Sequence, residues 1–258
     1  MDAERLLKLL RISVRECVAS SGSVAVAYSG GVDSALVERI ARECADTRAY
    51  TCAVRGAYDH GRAPLMAEES GVSLRMVDLD REALVELVRK ACGILGTADP
   101  MRVAYSVPII CVVDACGEDV VLVGSGADEL FGGYAKYLDD GDPERSMAAD
   151  LVKMQAETEA LDAHARSAGK RLCAPFASGE IIRFARGLPT GRKLGGGERK
   201  IVLREAAKAL GVLSHDRPKK AAQYSSGVLK EMRRTAREEG ADLGDWTARI
   251  ASEGRRIP

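Results

Sequence analysis

The chain has 258 residues, of which 46% are hydrophobic and 29% are charged, so it can form one large domain or a core domain with an added lobe. No apolar run approaches the ~20 residues of a membrane span, and the charged N-terminus is unlike a signal peptide, so no membrane contact is expected. The seven cysteines include no CxxC pair, which argues against a disulfide framework and a zinc site and favours a reducing, cytoplasmic location.

The net charge is zero, but basic residues are concentrated after residue 164 and acidic residues before it. Such asymmetry can mark a nucleic-acid surface. The basic residues are dispersed and lack interleaved aromatic residues, which favours attraction between the two halves or contact with small phosphates. Nucleic acid is therefore the less favoured partner.

The predicted elements begin with an amphipathic helix in residues 1–22. Strand patterns then alternate with amphipathic helices, the strands being Ser23–Tyr28, Ala49–Val54, Ser73–Val77 and Asp119–Val123. This alternation predicts an α/β fold, a parallel sheet of about five strands flanked by helices, within residues 23–140. From about Asp142 the strand patterns disappear, so residues 141–258 are predicted to form a C-terminal helical lobe.

The first chemical motif is SGGVDS, from Ser29 to Ser34, between a buried strand and a helix. Gly30 and Gly31 let the main chain approach a ligand closely, and the amides that open the helix form an anion site. Asp33 would repel a phosphate unless a divalent cation lay between them, which predicts Mg²⁺ ligation. The alternative is a plain turn in which Asp33 or Ser34 caps the helix. The spacing matches neither a Walker A loop nor a dinucleotide-binding loop.

The second motif is GSGADELFGGY, from Gly124 to Tyr134, directly after a predicted strand. The carboxyl ends of parallel strands line one crevice, so Asp128 is expected to face the same site as Asp33. A Mg²⁺ ion held by both would place the two carboxylates within roughly 10 Å of each other. The alternative is that Asp128 and Glu129 only stabilise the start of a helix.

These motifs support a resemblance. SGGVDS resembles the loop of the N-type ATP pyrophosphatases, the PP-loop superfamily. With the second motif it resembles the synthetase domain of the asparagine synthetase family, whose pattern is SGxGSDExFGGY. Downstream, the segment Lys200–Glu205 resembles the family's KxxLRE, and Arg217–Lys220 resembles its basic loop. The match is collinear from about residue 20 to residue 228.

The resemblance implies an adenine nucleotide alpha hydrolase-like fold, ATP and Mg²⁺ as cofactors, and adenylation of a small carboxylate with release of pyrophosphate. Residues 23–140 would be the ATP pyrophosphatase core, and residues 141–258 would contribute the loop with the catalytic lysine, Lys219 or Lys220. Asp33 and Asp128 would be the metal ligands. The implied nucleotide-binding residues are Ala27, Ser29, Gly30, Gly31, Asp33, Ser34, Val54, Val123 and Gly124.

The chain departs from the family pattern in two important ways. Residue 2 is Asp2 rather than a nucleophilic cysteine, and about 22 residues precede the first strand, so no glutaminase domain is expected. Ammonia would be free or supplied by a separate glutaminase chain. Ser125 stands where the family has a glutamate placed near the activated substrate. This substitution does not change the residues expected to act on ATP. It does mean that aspartate is only one candidate substrate.

Three functions remain open at this stage. The first is an AMP-forming C–N ligase that acts on a small carboxylate. The second is a PP-loop enzyme that modifies tRNA, and the third is a non-catalytic nucleotide-binding homologue. The presence of Asp33, Asp128 and the pair Lys219 and Lys220 favours a catalytic protein over a non-catalytic homologue.

The segment 187–197 (GLPTGRKLGGG) is rich in glycine and carries Arg192 and Lys193. It can be interpreted as a flap that closes over ATP and brings these two cations to the phosphates. A plain connector between two helices is the alternative.

Overall fold

A sheet of five parallel strands forms the centre of the protein, which is described here by a computed structural model that covers residues 1–19, 21–216 and 222–253. The strands are β1 (Ser23–Ala27), β2 (Asp46–Val54), β3 (Leu74–Leu79), β4 (Val120–Leu122) and β5 (Arg171–Cys173), in the order β3-β2-β1-β4-β5. This confirms the predicted α/β fold, with β1 at the centre. From β1, the chain adds β2 and β3 on one side of the sheet and then β4 and β5 on the other side.

Helices cover both faces of this sheet. In chain order they are α1 (Asp2–Val18), α2 (Val32–Ala41), α3 (Tyr58–Glu69), α4 (Arg81–Leu95), α5 (Pro100–Ala115), α6 (Ala127–Phe131), α7 (Pro143–Ser167), α8 (Gly179–Arg186), α9 (Ile201–Ala209), α10 (Ala222–Ser225), α11 (Val228–Glu238) and α12 (Leu243–Glu253). Their ends carry familiar signals. Asp80 caps α4 by accepting a hydrogen bond from the amide of Ala83 at 2.9 Å, and Gly96 ends it with a φ of 62°.

The core consists of two hydrophobic layers, one on each face of the sheet. Alternate residues of β1 serve opposite layers because successive side chains of a strand point to opposite faces. Val24 and Val26 pack with α1, α2, α8 and α9, whereas Ala25 packs with α4, α5, α11 and α12. The residues involved are mostly Ala, Val, Leu and Ile. This double cover buries the sheet and fixes the positions of its strand ends.

The part after residue 142 differs from the prediction, because it contains strands. β5, an edge strand of the main sheet, comes from Arg171–Cys173, and a short antiparallel hairpin joins β6 (Leu194–Gly195) to β7 (Glu198–Arg199). The expectation of a purely helical lobe is therefore wrong. Strands of two or three residues lack the apolar run that would reveal them in the sequence.

Within residues 1–19, 21–216 and 222–253, no helix is both long enough and apolar enough to cross a membrane.

Candidate functional site

The loop Ser29–Ser34 lies between β1 and α2, as the sequence predicts. Its own hydroxyls hold it in shape. Ser34 Oγ accepts a hydrogen bond from the amide of Ser29 at 3.1 Å, and Ser29 Oγ accepts one from the amide of Gly31 at 3.4 Å. Gly30 has a φ of +69°, which favours glycine at the turn. Gly31 is the N-cap of α2 and provides no side-chain acceptor, so the first amides of α2 remain available to an anion.

The second loop, residues 123–126, follows β4 and packs directly against the first. A Cβ added at Gly124 would lie 3.0 Å from Asp33 Cβ and 3.2 Å from the amide nitrogen of Ser34. Glycine therefore permits the close approach of the two loops. Gly126, with a φ of +96°, then turns the chain into α6, whose first turn carries Asp128. Two strand ends thus bring Asp33 and Asp128 to one place.

A buried lysine joins these two carboxylates. Lys200 Nζ lies 2.5 Å and 2.6 Å from the two carboxylate oxygens of Asp33, and 2.7 Å from Asp128 Oδ1. Its side chain is 1% exposed, whereas those of Asp33 and Asp128 are 16% and 14% exposed. Both carboxylates contact the same ammonium group, so their predicted proximity is confirmed. Burial lowers the pKa of Lys200, and the Asp33 carboxylate opposes that shift.

The backbone at Lys200 is unusual. Lys200 is the N-cap of α9 with a φ of 60°, and it is the sole non-glycine residue with positive φ in the described part of the chain. Such a conformation costs on the order of 1 kcal/mol in a non-glycine residue. A Cβ at Gly133 would overlap Asp128 Oδ1 and Lys200 Cε, so a glycine at that position leaves room for the contact. The strained backbone at Lys200 thus accompanies the placement of its ammonium group between two carboxylates.

The two loops line a first cavity. Its wall includes nearly all of the predicted nucleotide-binding residues, namely Ala27, Ser29, Gly30, Gly31, Asp33, Ser34, Val123 and Gly124, together with Asp128. Tyr50, Cys52, Ile109 and Val112 add an apolar side to this wall. The cavity therefore combines an anion-binding loop and carboxylates with an apolar surface that suits a heteroaromatic ring.

Two tyrosines close the cavity beside Asp128. The hydroxyl groups of Tyr105 and Ser125 are 3.1 Å apart, and the Tyr134 hydroxyl donates to Glu129 Oε1 at 2.6 Å. Burial raises the pKa of both Tyr134 and Glu129. In this structure Ser125, at the position of the family glutamate, is 7% exposed and pairs with Tyr105.

Comparison with known sequences decides the family. The sequence profile of the asparagine synthase family matches residues 5–170 and 138–253. The chain belongs to the asparagine synthase family. It is 28% identical over 92% of its length to a protein of Methanocaldococcus jannaschii described as a glutamine-hydrolysing asparagine synthetase, and this match covers 52% of that protein. It is 24% identical over 96% of its length to asparagine synthetase B of Escherichia coli, of which 50% is covered. The chain thus spans about half the length of these curated relatives.

Among solved structures, NMN synthetase from Francisella tularensis is similar at 12% identity, with 100% of this chain and 95% of that one covered. The TM-score of 0.45 is too low for this similarity to support any further argument.

Three of the predicted site residues remain, namely Val54, Lys219 and Lys220. Lys219 and Lys220 lie outside the described residues. Val54 is not part of the cavity wall; it ends β2, and its amide donates to the carbonyl of Ser226 at 2.9 Å. The catalytic role of the lysine pair stays a prediction.

Lys200 is a site residue to which the sequence patterns assign no role. It is the first residue of the segment that resembles KxxLRE, and that motif is the one signal in the sequence that points to it. The glycine-rich segment before it, predicted as a flap, forms a 3₁₀ turn, Thr190–Arg192, and the β6–β7 hairpin. This hairpin leads the chain directly into Lys200.

Arg192 and Lys193 have other partners than phosphate in this structure. Arg192 contacts the carboxylates of Glu205 at 2.6 Å and Asp2 at 3.0 Å. Lys193 is 2% exposed and lies 2.7 Å from Glu144 Oε2. The hypothesis that these two cations wait to close over ATP is therefore not supported by the structure.

The donors suit Mg²⁺. In the described ranges, no three His, Cys, Asp or Glu side chains lie close enough together to bind a metal ion without further ligands. Mg²⁺ at nucleotide sites commonly uses one or two carboxylates and completes its shell with phosphate oxygens and water. Asp33 and Asp128 provide such a pair, and both line the first cavity. Lys200 contacts both carboxylates in this structure, so Mg²⁺ would share them with its ammonium group.

Proposed function

We propose that this chain is an ATP-dependent, AMP-forming ligase that adenylates a carboxylate and releases pyrophosphate. One observation carries the proposal, the placement of the Lys200 ammonium group between Asp33 and Asp128 beside the Ser29–Ser34 loop. Membership of the asparagine synthase family supports it. A non-catalytic nucleotide-binding protein would have no need for a strained, fully buried lysine at this position.

Each part of the site has a task in this reaction. The amides of the loop and the start of α2 would bind the β- and γ-phosphates, with Ser29 and Ser34 holding the loop in shape. Asp33 and Asp128 would hold Mg²⁺, which neutralises phosphate charge and orients the reacting groups. Lys200 would stabilise the negative charge that builds up on the departing pyrophosphate. The predicted Lys219 or Lys220 would act on the same charge.

The substrate and nitrogen source follow by analogy with the relatives. Two of them are described as glutamine-hydrolysing asparagine synthetases, which makes aspartate the first carboxylate to test and ammonia the first amine. A separate glutaminase chain is the corresponding partner. Because Ser125 replaces the family glutamate, we expect the substrate range to differ from that of an asparagine synthetase.

The experiment measures pyrophosphate release from Mg-ATP over a panel of amino acids and larger carboxylic acids, with ammonium present. Activity should require both Mg²⁺ and a carboxylate. Asp33→Asn should reduce the rate to background, because the variant loses a ligand of the metal. The matched control is Asp119→Asn. Asp119 is exposed and precedes β4, at the opposite end of the strand from Asp128.

Asp33→Asn turning over at the wild-type rate would remove this carboxylate from the mechanism. Pyrophosphate release that requires tRNA rather than a carboxylic acid would replace the ligase with a tRNA-modifying enzyme. A thermal melt of each variant verifies that the protein is folded, since Lys200 keeps Asp128 as a partner when Asp33 is changed.

A further inference from the structure

A second cavity, of about 820 Å³, lies beside the first. Tyr105 and Tyr134 line both, so the two spaces meet at these rings. A ligand in the second cavity could therefore reach the phosphate end of a ligand in the first. A volume of this size is typical of sites for ligands well above the size of a free amino acid.

Three of the cations on the wall of the second cavity already have carboxylate partners. Arg102 Nε lies 2.6 Å from Glu157 Oε1, and Lys136 and Lys153 both contact Asp150, the latter at 3.4 Å. These three cations contact two carboxylates, and Glu129 is a third carboxylate on the same wall. Apart from Arg199, the wall therefore carries three cations and three carboxylates, which gives a polar rim with little net attraction for either sign of charge.

Arg199 is different. It also lines the second cavity, and its guanidinium Nη1 donates to the carbonyl of Gly133 at 2.8 Å. Within the described residues no carboxylate forms an ion pair with it. Its main chain is fixed, because β7 pairs it with Leu194 and Arg204 Nε donates to its carbonyl at 3.0 Å. A guanidinium group carries five donors, so Arg199 can still bind a carboxylate.

Much of the remaining wall is apolar. Met101 and Met154 line the cavity together with the rings of Tyr105, Tyr134 and Tyr224. Methionine and tyrosine accept a wide range of apolar shapes. The wall thus provides one unmatched positive charge and a broad surface for an apolar body.

We propose that the second cavity binds the acid that this enzyme activates, and that this acid carries an apolar body larger than the side chain of aspartate. Arg199 pairs with its carboxylate, and the methionine and tyrosine side chains receive its body. The identification of this acid as the substrate rests on the proposed function. The binding itself does not, which allows the two to fail separately.

The test is calorimetric titration of the whole chain with octanoate, acetate, aspartate and octylamine, in the absence of ATP. Octanoate should bind more tightly than acetate or aspartate, because only it has both the charge and the body. Octylamine should not compete with octanoate, since it has the same chain and the opposite charge. Arg199→Gln should weaken octanoate binding about tenfold or more, and Arg199→Lys should restore part of the loss.

Arg183→Gln is the matched control, because Arg183 is exposed and pairs with Glu180 at 3.8 Å. It should bind octanoate as the unchanged protein does. Equal affinity of Arg199→Gln and the parent for octanoate would overturn the inference, as would tighter binding of aspartate than octanoate to the parent. Octanoate binding that depends on Arg199, with no pyrophosphate release from any acid, would uphold the binding site but remove the proposed function and, with it, the identification of the acid as the substrate.

Discussion

The first and second cavities meet at Tyr105 and Tyr134, but the loops after β1 and β4 provide much of the first wall, whereas residues on helices provide most of the second. The first depends on the strand ends of β1 and β4, where glycines let the loops touch. The second depends on α5, α7 and the hairpin that carries Arg199. Main-chain geometry set by a buried sheet is insensitive to surface substitutions, whereas a wall of side chains changes with each residue. The first cavity can thus keep one chemistry while the second adapts to different substrates.

The sharpest test of this contrast uses two buried lysines. Lys200 is 1% exposed and pairs with Asp33 and Asp128 on the wall of the first cavity, whereas Lys193 is 2% exposed and pairs with Glu144 elsewhere. Lys200→Met should reduce the rate of pyrophosphate release on the order of 10²–10³-fold, as the loss of one charge-stabilising group typically does. Lys193→Met should retain a rate close to that of the parent. Steady-state pyrophosphate assays on both variants make the comparison.

Equal rates for Lys200→Met and the parent would contradict this view. Lys200 would then only balance two carboxylates and take no part in the reaction. Melting temperatures are needed beside the rates, because Lys200→Met leaves two carboxylates facing each other without the ammonium group between them.

A second test concerns the space that glycine leaves around Lys200. Gly133→Ala should place a methyl group against Asp128 Oδ1 and Lys200 Cε, which forces the ion pair apart. We expect a loss of about 1–3 kcal/mol in the free energy of unfolding, typical of overpacking, and a large loss of activity. Gly93→Ala is the control. Gly93 lies within α4 with nothing near its Cβ position, so this change should stabilise by about 0.5–1 kcal/mol.

Denaturant titrations monitored by circular dichroism would measure both changes. Gly133→Ala as stable and as active as the parent would show that the Lys200–Asp128 contact can relax without consequence.

The two halves of the site differ in how far the sequence could predict them. The Ser29–Ser34 loop and Asp128 were predictable, because each follows a recognisable strand, and strand ends of a parallel sheet converge. Lys200 arrives instead through a hairpin whose strands are two residues long. Such strands have no periodicity, and a lysine among glycines suggests a solvated loop. Its ammonium group contacts Asp33, 167 positions earlier in the chain, and Asp128, which comes from a different strand end.

The same limit applies to β5 and to the second cavity. β5 completes the sheet with only three residues, and its place is determined by pairing with β4 rather than by its own pattern. The second cavity combines side chains from α5, α7 and β7, which no motif connects. Arg199 was therefore invisible as a binding residue until the fold showed that its neighbours on the cavity wall already had partners.

The smallest predicted effect is a change in how the stability of the protein depends on pH, and it arises at Glu129 in the second cavity. Glu129 lines the second cavity next to Asp128, and burial raises its pKa above the usual value, with Tyr134 and Lys200 acting against the shift. A raised pKa means that the folded protein binds more protons than the unfolded chain above about pH 4.5. The stability that protonated Glu129 contributes is complete below that pH and is lost as pH rises through its folded pKa.

Glu129→Gln keeps an acceptor for the Tyr134 hydroxyl and removes the titration. The variant should thus lose less stability than the parent between mildly acidic and neutral pH. Denaturation midpoints measured across this range should diverge, with the variant gaining on the parent as pH rises. Parallel curves would show that Glu129 ionises in the folded protein as readily as in the unfolded chain, with Tyr134 and Lys200 fully offsetting its burial.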